Sequence, residues 1–146
     1  MKLREYINQF YQILTKGQSF SLLVVRLILA YGFYEPALTK WKDISSVAMW
    51  FSEMNIPLPL FTVYMVASFE TVGVVLLTIG FLVRWISIPL ISIMITAIIT
   101  VHWEHGFAAC KNGFEIPLYY ISFLFILLTF GAGSISFDRL LENKNN

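Results

Sequence analysis

The sequence predicts an all-α membrane protein, a bundle of four helices that each cross the bilayer. The 146 residues are 58% hydrophobic and 13% charged, with a mean hydropathy of +0.72, which is too apolar for an ordinary soluble domain. Four nearly uncharged stretches, residues 20–38, 58–82, 85–101 and 116–132, approach the ~20 residues that cross a hydrocarbon core. No repeat or flexible linker separates them. Residues 1–146 are therefore predicted to form one domain, with the bundle over residues 20–138.

Residues 1–18 are predicted to form an amphipathic N-terminal helix. Leu3, Ile7, Phe10 and Leu14 fall on one stripe, with polar residues between them. This pattern favours a helix that lies in the membrane interface and contacts lipid. A short helix packed on a partner protein has the same periodicity and is the alternative.

The first outer loop is predicted to contain a second, short interfacial helix. Ile44, Val47 and Phe51 recur at helical spacing in this loop, and Trp41 and Trp50 are the residue type found in interfacial aromatic belts.

Positive charge orients the predicted bundle. Outside the spans, six basic residues fall on one side and three on the other: Lys2, Arg4, Lys16, Arg84, Arg139 and Lys144 against Lys40, Lys42 and Lys111. The positive-inside rule then predicts a multi-pass membrane protein with both termini in the cytoplasm, which in a bacterium places it in the inner membrane. The net charge of +1 argues against a nucleic-acid partner.

Two ionisable residues are predicted at hydrocarbon depth, where an unpaired charge costs several kcal/mol. Arg26 lies roughly 9 Å and Glu70 about 18 Å from the same face, at ~1.5 Å per helical residue. We expect the two to contact each other or to share a bound water, because removing one would leave the other charged and alone. They either hold the helices in register or act as a relay for protons or substrate.

The stretch VHWEHGFAACKNGFEIPL, residues 101–118, suggests a site at the outer mouth of the bundle. His102 and Glu115 lie at the facing ends of two spans, and Lys40 follows the first span at a similar level. We expect these three to form a polar cluster that exchanges protons, because histidine does so near neutral pH. With Glu70 and Arg26 they are the candidate catalytic residues.

Metal binding and thiol chemistry are the alternatives to a proton-exchanging cluster in this stretch. His102 and His105 are spaced for one helical face and, with Glu115, are the alternative metal set; the prediction is that no metal is bound. Cys110 is the only cysteine, so no redox-active cysteine pair can form within the chain.

Several motifs in order resemble the DoxX family of small bacterial membrane proteins. They are VVRLILAYGF, SFETVGVVLLTIGFLVRW, VHWEHGF, NGFEIPLYY and FGAGSISFD, and they extend over residues 22–138. By position, the family's residues correspond to Arg26, Lys40, Glu70, Gly73, Arg84, His102, Glu115, Gly131, Gly133, Ser136 and Asp138. Many members carry His-Gly shortly before the lysine, where this chain has Pro36 and Ala37, so no role of that histidine transfers.

The resemblance implies a membrane subunit linked to redox or oxidative-stress metabolism. Some relatives are subunits of thiosulfate:quinone oxidoreductase, and others serve thiol defence or metal-linked peptide modification. The resemblance does not fix a substrate. The first interpretation is a subunit of an oxidoreductase that binds a quinone or a small sulfur species in the bundle and works with redox proteins or a second copy as partners. A quinone carbonyl oxygen needs a donor such as His102 or Lys40, and its ring needs an apolar slot. The aromatic residues proposed for that slot are Tyr31, Phe33, Trp103 and Phe107. A transporter for small solutes or metal, and a scaffold without chemistry of its own, are the alternatives.

The predicted orientation can be checked by labelling. An impermeant thiol reagent added outside the cell should modify native Cys110 and should leave a cysteine at the Asn145 position unmodified. The reverse labelling pattern would contradict the orientation.

Overall fold

The computed structural model describes the backbone of residues 2–144, and the side chains of these residues except 2–6, 8–10, 13, 16, 143 and 144. Six α-helices follow one another: α1 (Lys2–Lys42), α2 (Ile44–Glu53), α3 (Pro59–Ile79), α4 (Val83–Ala97), α5 (Glu115–Phe130) and α6 (Phe137–Lys144). The described residues contain no strand, which confirms the all-α prediction.

Three helical segments are long and apolar enough to cross a membrane: Gly17–Lys42, Pro59–Ile79 and Val83–His105. The third includes α4, a π-helical turn at Ile98–His102 and a 3-10 turn at Trp103–His105. The fourth predicted span corresponds to α5, which has 16 residues and a length of about 24 Å at ~1.5 Å per residue. Helix α5 ends there because Gly131 adopts a positive φ of 79°.

The N-terminal residues continue into the first span without a break, so α1 is one helix of 41 residues. The predicted side-chain stripe falls partly on Leu3 and Phe10, which lie outside the described side chains. Ile7 and Leu14 of the same stripe are exposed. Their placement in the membrane interface stays a prediction.

The helices close into a ring in which α1 packs on α3, α3 on α4, α4 on α5 and α5 on α1. Leu29, Leu77, Leu90 and Leu124 are fully buried at its centre. Helix α2 packs on α3 at one end of the ring. Residues 98–114 lie at the same end, which we call the α2 side. The opposite end, with the α3–α4 turn and α6, is the α6 side.

Helix α2 is the short helix predicted for the first loop, and Asp43 caps its N-terminus. The Asp43 carboxylate accepts hydrogen bonds from the Ser46 hydroxyl at 2.6 Å and the Ser46 amide at 3.0 Å. These bonds hold the pKa of Asp43 below its usual value. Phe51 is buried against the bundle while Trp50 remains half exposed, so α2 forms a lid on this end.

On the α6 side, the buried guanidinium of Arg26 fastens α1 to the end of α3. Its Nη1 donates to the Leu77 carbonyl at 3.1 Å, and its Nη2 donates to the Ile135 carbonyl. The Leu77 carbonyl is available because the Phe81 amide bonds to the Leu76 carbonyl instead, at 3.0 Å. Arg26 therefore neutralises the free carbonyls at a helix C-terminus inside the bundle.

Gly80 makes this arrangement possible, and its replacement tests it. Gly80 has φ +72°, and a Cβ there would collide with Arg26 Nη1. We expect Gly80→Ala to lower the free energy of unfolding by about 1–2 kcal/mol for the left-handed backbone alone, and further by displacing Arg26. Gly17→Ala is the matched control, since nothing lies within 4 Å and φ is ordinary. It should raise the melting temperature in detergent slightly. Equal melting temperatures for the two variants would contradict the role given to Gly80.

Candidate functional site

Lys40 and Glu70 form an ion pair inside the bundle. Lys40 Nζ lies 3.0 Å from Glu70 Oε1 and 2.9 Å from Oε2, with 16% and 3% of the two side chains exposed. The predicted contact between Arg26 and Glu70 is therefore wrong, because Arg26 binds carbonyls on the α6 side. Glu70 pairs with Lys40, and Arg26 binds backbone carbonyl oxygens.

The difference comes from the length of the first helix, which extends beyond the predicted end of the first span. The sequence placed Lys40 in a loop beyond residue 38, whereas α1 continues through Pro36 to Lys42. Side chains on a helix lean toward its N-terminus. Lys40 therefore points back into the bundle and reaches Glu70 from the α2 side.

The residues that follow Lys40 and Glu70 in sequence hold the pair in place. Trp41 Nε1 donates to Thr71 Oγ1 at 2.9 Å, and the Trp41 ring meets the Tyr64 ring edge-on at 6.1 Å. These contacts join α1 to α3 beside the ion pair. They restrict rotation of the two helices and so keep the lysine facing the carboxylate.

A cavity of about 620 Å³ opens beside this pair, under α2 and between α1, α3 and α4. Its volume lies in the range of pockets for small organic ligands, roughly 300–1,000 Å³. Most of the wall is apolar, and its aromatic and thioether side chains include Phe33, Trp50, Phe51, Met54, Met65, Phe69 and Met94. The polar lining residues include Lys40, Thr62, Glu70, Ser92, Thr96, Thr100, His102, Asn112 and Tyr120.

Gly32 and Pro36 shape the α1 wall of this cavity. The Tyr120 hydroxyl from α5 lies where a Cβ of Gly32 would be, so only glycine lets the two helices approach here. Phe33 meets the Tyr120 ring edge-on at 5.4 Å. Pro36 has no amide hydrogen, so the usual helical bond to the Gly32 carbonyl is missing beside the cavity.

His102 lines the cavity on the α2 side. Its Nδ1 lies 2.7 Å from the Asn112 carbonyl oxygen, which can only accept, so Nδ1 carries a hydrogen. The other ring nitrogen, Nε2, is left for water or a ligand. His105 instead bonds to the Val101 carbonyl at 3.0 Å in its own helical turn, and it does not line the cavity.

Glu115 is not part of this cavity. Its carboxylate accepts the Ala109 amide and the Tyr119 hydroxyl, both at 2.9 Å, and so closes the loop before α5. Among the three residues of the predicted outer cluster, the structure brings Lys40 and His102 to one cavity and assigns Glu115 to the loop. Glu70 joins them in place of Glu115.

The alternative metal set is not assembled. Within residues 2–144, no three histidine, cysteine, aspartate or glutamate side chains lie close enough to hold a metal ion. His102, His105 and Glu115 each bond to a different part of the loop instead.

Of the four aromatic residues proposed for a quinone slot, Phe33 lines the cavity and the other three lie elsewhere. Tyr31 is 83% exposed on the outside of α1. Trp103 and Phe107 pack on Phe114 in the loop, with ring centroids 5.7 and 5.6 Å apart, and do not line the cavity. Trp50, Phe51 and Phe69 supply the aromatic wall that the sequence assigned to those residues.

A second groove of about 650 Å³ lies on the α6 side. Its charged residues are occupied within the protein: Arg84 donates to the Thr129 carbonyl, and Arg139 pairs with Glu142 at 3.0 Å. Asp138 accepts the Leu82 amide at 3.0 Å. The cavity on the α2 side is therefore the better candidate for a ligand site.

One row of hydroxyl side chains in the cavity wall is also recognisable from its spacing in the sequence. Ser92, Thr96 and Thr100 are spaced four apart within an apolar span, so their hydroxyls share one helical face. The aromatic wall had no such signal, because it depends on how α2 folds over the bundle.

Comparison with known proteins places these residues in context. The family model described as DoxX matches residues 21–103, which include Arg26, Lys40, Glu70 and His102. An uncharacterized protein of Haemophilus influenzae is 32% identical over 134 residues, which cover 86% of each chain. No solved structure matches the chain.

The ion pair predicts a non-additive pattern of stability. Lys40→Met leaves the Glu70 carboxylate buried without a partner, and Glu70→Gln leaves the Lys40 ammonium without its counter-charge. Each should lower the free energy of unfolding by about 3–5 kcal/mol, the usual cost of breaking a buried pair. The double substitution should cost clearly less than the sum, as measured by thermal unfolding in detergent.

Arg26→Met combined with Glu70→Gln is the control for that cycle, because the two residues bind different partners. Its losses should add. Additive losses for Lys40 and Glu70 would contradict the ion pair.

Proposed function

We propose that this chain, which belongs to the DoxX family of membrane proteins, binds a quinone-class molecule in the cavity beside Lys40 and Glu70. It serves as the membrane subunit of a redox system in the bacterial inner membrane, with both termini in the cytoplasm, and works with partner proteins that supply electrons. The relative from Haemophilus influenzae is uncharacterized and adds no function of its own.

The observation that carries this proposal is a buried ion pair in the wall of an apolar cavity. A lysine and a carboxylate are costly to keep at this depth, and a structural bond between helices needs no cavity next to it. Aromatic and thioether side chains such as Trp50, Phe69 and Met65 suit a flat, lipid-soluble ring. A few polar groups in a mostly apolar pocket are typical of small-molecule sites.

Lys40 and Glu70 have the chemistry that a quinone oxygen requires. The ammonium has three hydrogens, and two point at the Glu70 oxygens while the third makes only a long contact of 3.4 Å to the Pro36 carbonyl. Lys40 can therefore donate to a carbonyl oxygen in the cavity. The positive charge also favours any negative charge that reduction places on that oxygen, and the Glu70 carboxylate can hold and release the accompanying proton.

A partner must supply the electrons in this scheme. The chain has a single cysteine, Cys110, which is exposed in the loop on the α2 side. No dithiol can form within one chain, so the redox step needs a donor or acceptor from another protein or a second copy.

Binding can be measured by tryptophan fluorescence. Titration of the purified protein in detergent with a short-chain ubiquinone should quench fluorescence saturably, because Trp50 lines the cavity. Lys40→Met should weaken binding about tenfold or more, the equivalent of one lost charged hydrogen bond. Trp50→Phe should remove most of the saturable quenching.

Trp85→Phe is the matched control, since Trp85 is 73% exposed on the α6 side and should leave the saturable part intact. A long-chain alcohol of similar hydrophobicity should not compete. Quenching that never saturates, or that depends on Trp85 rather than Trp50, would contradict the proposal. Flux of a small solute through liposomes containing the protein, without quinone binding, would identify a carrier instead.

A further inference from the structure

We propose that the cavity is filled with water from the α2 side, and that a row of hydroxyls leads this water past His102 to the Lys40–Glu70 pair. Protons and small water-soluble ions then reach the pair from the aqueous phase. The role for protons rests on the proposed function, whereas the passage itself does not.

The row consists of Ser92, Thr96 and Thr100, all of which line the cavity. Ser92 lies near the middle of the segment Val83–His105 that is long enough to span a membrane, and Thr100 lies near its end on the α2 side. Each is one turn from the next. Together they extend from mid-depth toward the α2 side.

Each hydroxyl already gives its hydrogen to the backbone of its own helix. Ser92 donates to the Ile88 carbonyl at 3.2 Å, Thr96 to the Ser92 carbonyl at 2.9 Å, and Thr100 to the Thr96 carbonyl at 2.8 Å. A hydroxyl oxygen has two lone pairs, and these remain directed away from the helix axis as acceptors. Such a surface can hydrogen-bond water without a change of helix structure.

The two ends of the row are polar as well. Toward the α2 side, His102 is the last residue of the π-helical turn Ile98–His102, and its second ring nitrogen is not bonded to Asn112. At the inner end, Lys40 and Glu70 lie in the same cavity wall. A cavity of about 620 Å³ with polar groups at both ends can hold several waters, each of which needs about 30 Å³.

The neighbouring face of the same helix is apolar. The helix therefore has a polar face toward the cavity and an apolar face that suits lipid. Ile88, Ile95 and Ile99 are exposed and do not line the cavity. Ser92 and Thr96 are exposed as well, but they line it. Ile95 and Ile99 are next to Thr96 and Thr100 in sequence, so each pair shares nearly the same depth. Only the side of the helix differs.

Cysteine accessibility tests the passage with these matched pairs. In a chain with Cys110→Ser, single substitutions Thr96→Cys, Thr100→Cys, Ile95→Cys and Ile99→Cys are treated in sealed vesicles with a charged, impermeant methanethiosulfonate. We expect the two threonine variants to react at least tenfold faster than the isoleucine variants, and only from the α2 side. Melting temperatures check that each variant is folded.

A second measurement examines the inner end of the passage. Lys40→Cys should lower the melting temperature because Glu70 loses its counter-charge. Modification with 2-aminoethyl methanethiosulfonate attaches an ammonium through a disulfide and should restore most of the loss. Methyl methanethiosulfonate gives a neutral adduct at the same position and should restore none.

Equal reaction rates for threonine and isoleucine variants would overturn the passage, as would a Lys40→Cys thiol that reacts only after denaturation. Quinone titration of the same variants separates the two proposals. Saturable quenching with an unreactive Thr96→Cys would refute the passage alone, and a reactive Thr96→Cys without quenching would refute the quinone alone.

Discussion

The contact between the Lys40 ammonium and the Glu70 carboxylate is the constraint on which the α2 side of this bundle depends. A carboxylate that is 3% exposed within a membrane helix must be paired, and its partner must come from the neighbouring helix. Helix α1 therefore continues through Pro36 until Lys40 can reach back to Glu70. The adjacent bond from Trp41 to Thr71 keeps α1 and α3 in the register that this pairing requires.

The two ends of the bundle use buried charge differently. On the α6 side, Arg26 donates to one carbonyl at the end of α3 and to one in the segment before α6, and a Cβ at Gly80 would collide with its guanidinium. On the α2 side, Lys40 and Glu70 border a cavity that also receives His102 and a row of hydroxyls. Buried charged residues therefore bind backbone carbonyls on the α6 side and border a cavity on the α2 side.

Much of the fold followed from the sequence, because hydropathy and charge report directly on which segments lie in lipid. The helices, the short helix in the first loop and the membrane character were predicted in this way. Pairing was not predictable to the same degree. It depends on where a helix ends and on the direction of a long side chain, and ending α1 two residues before Lys40 was enough to give Glu70 the wrong partner.

The candidate site was predicted mainly in its polar half, together with Phe33 of the apolar wall. Lys40, Glu70 and His102 are unusual residues for their positions and could be selected from the sequence. The apolar half consists of residues such as Trp50 and Phe69, which are common in any membrane protein and become a ligand surface only when α2 folds over the bundle. Tyr31 and Trp103 looked equally suitable in the sequence, but their helical faces turn outward.

The most direct test of a quinone site beside Lys40 is the infrared spectrum of the bound molecule. A short-chain ubiquinone labelled with ¹³C at one carbonyl is bound to the wild-type protein and to Lys40→Met, and the labelled carbonyl stretch is compared with that of the free molecule in detergent. A hydrogen bond from an ammonium weakens the C=O bond and lowers its frequency. We expect a lower frequency for one carbonyl in the wild-type protein and no such shift in Lys40→Met. A stretch in the wild-type protein equal to that in detergent would contradict the assignment of this cavity to a quinone.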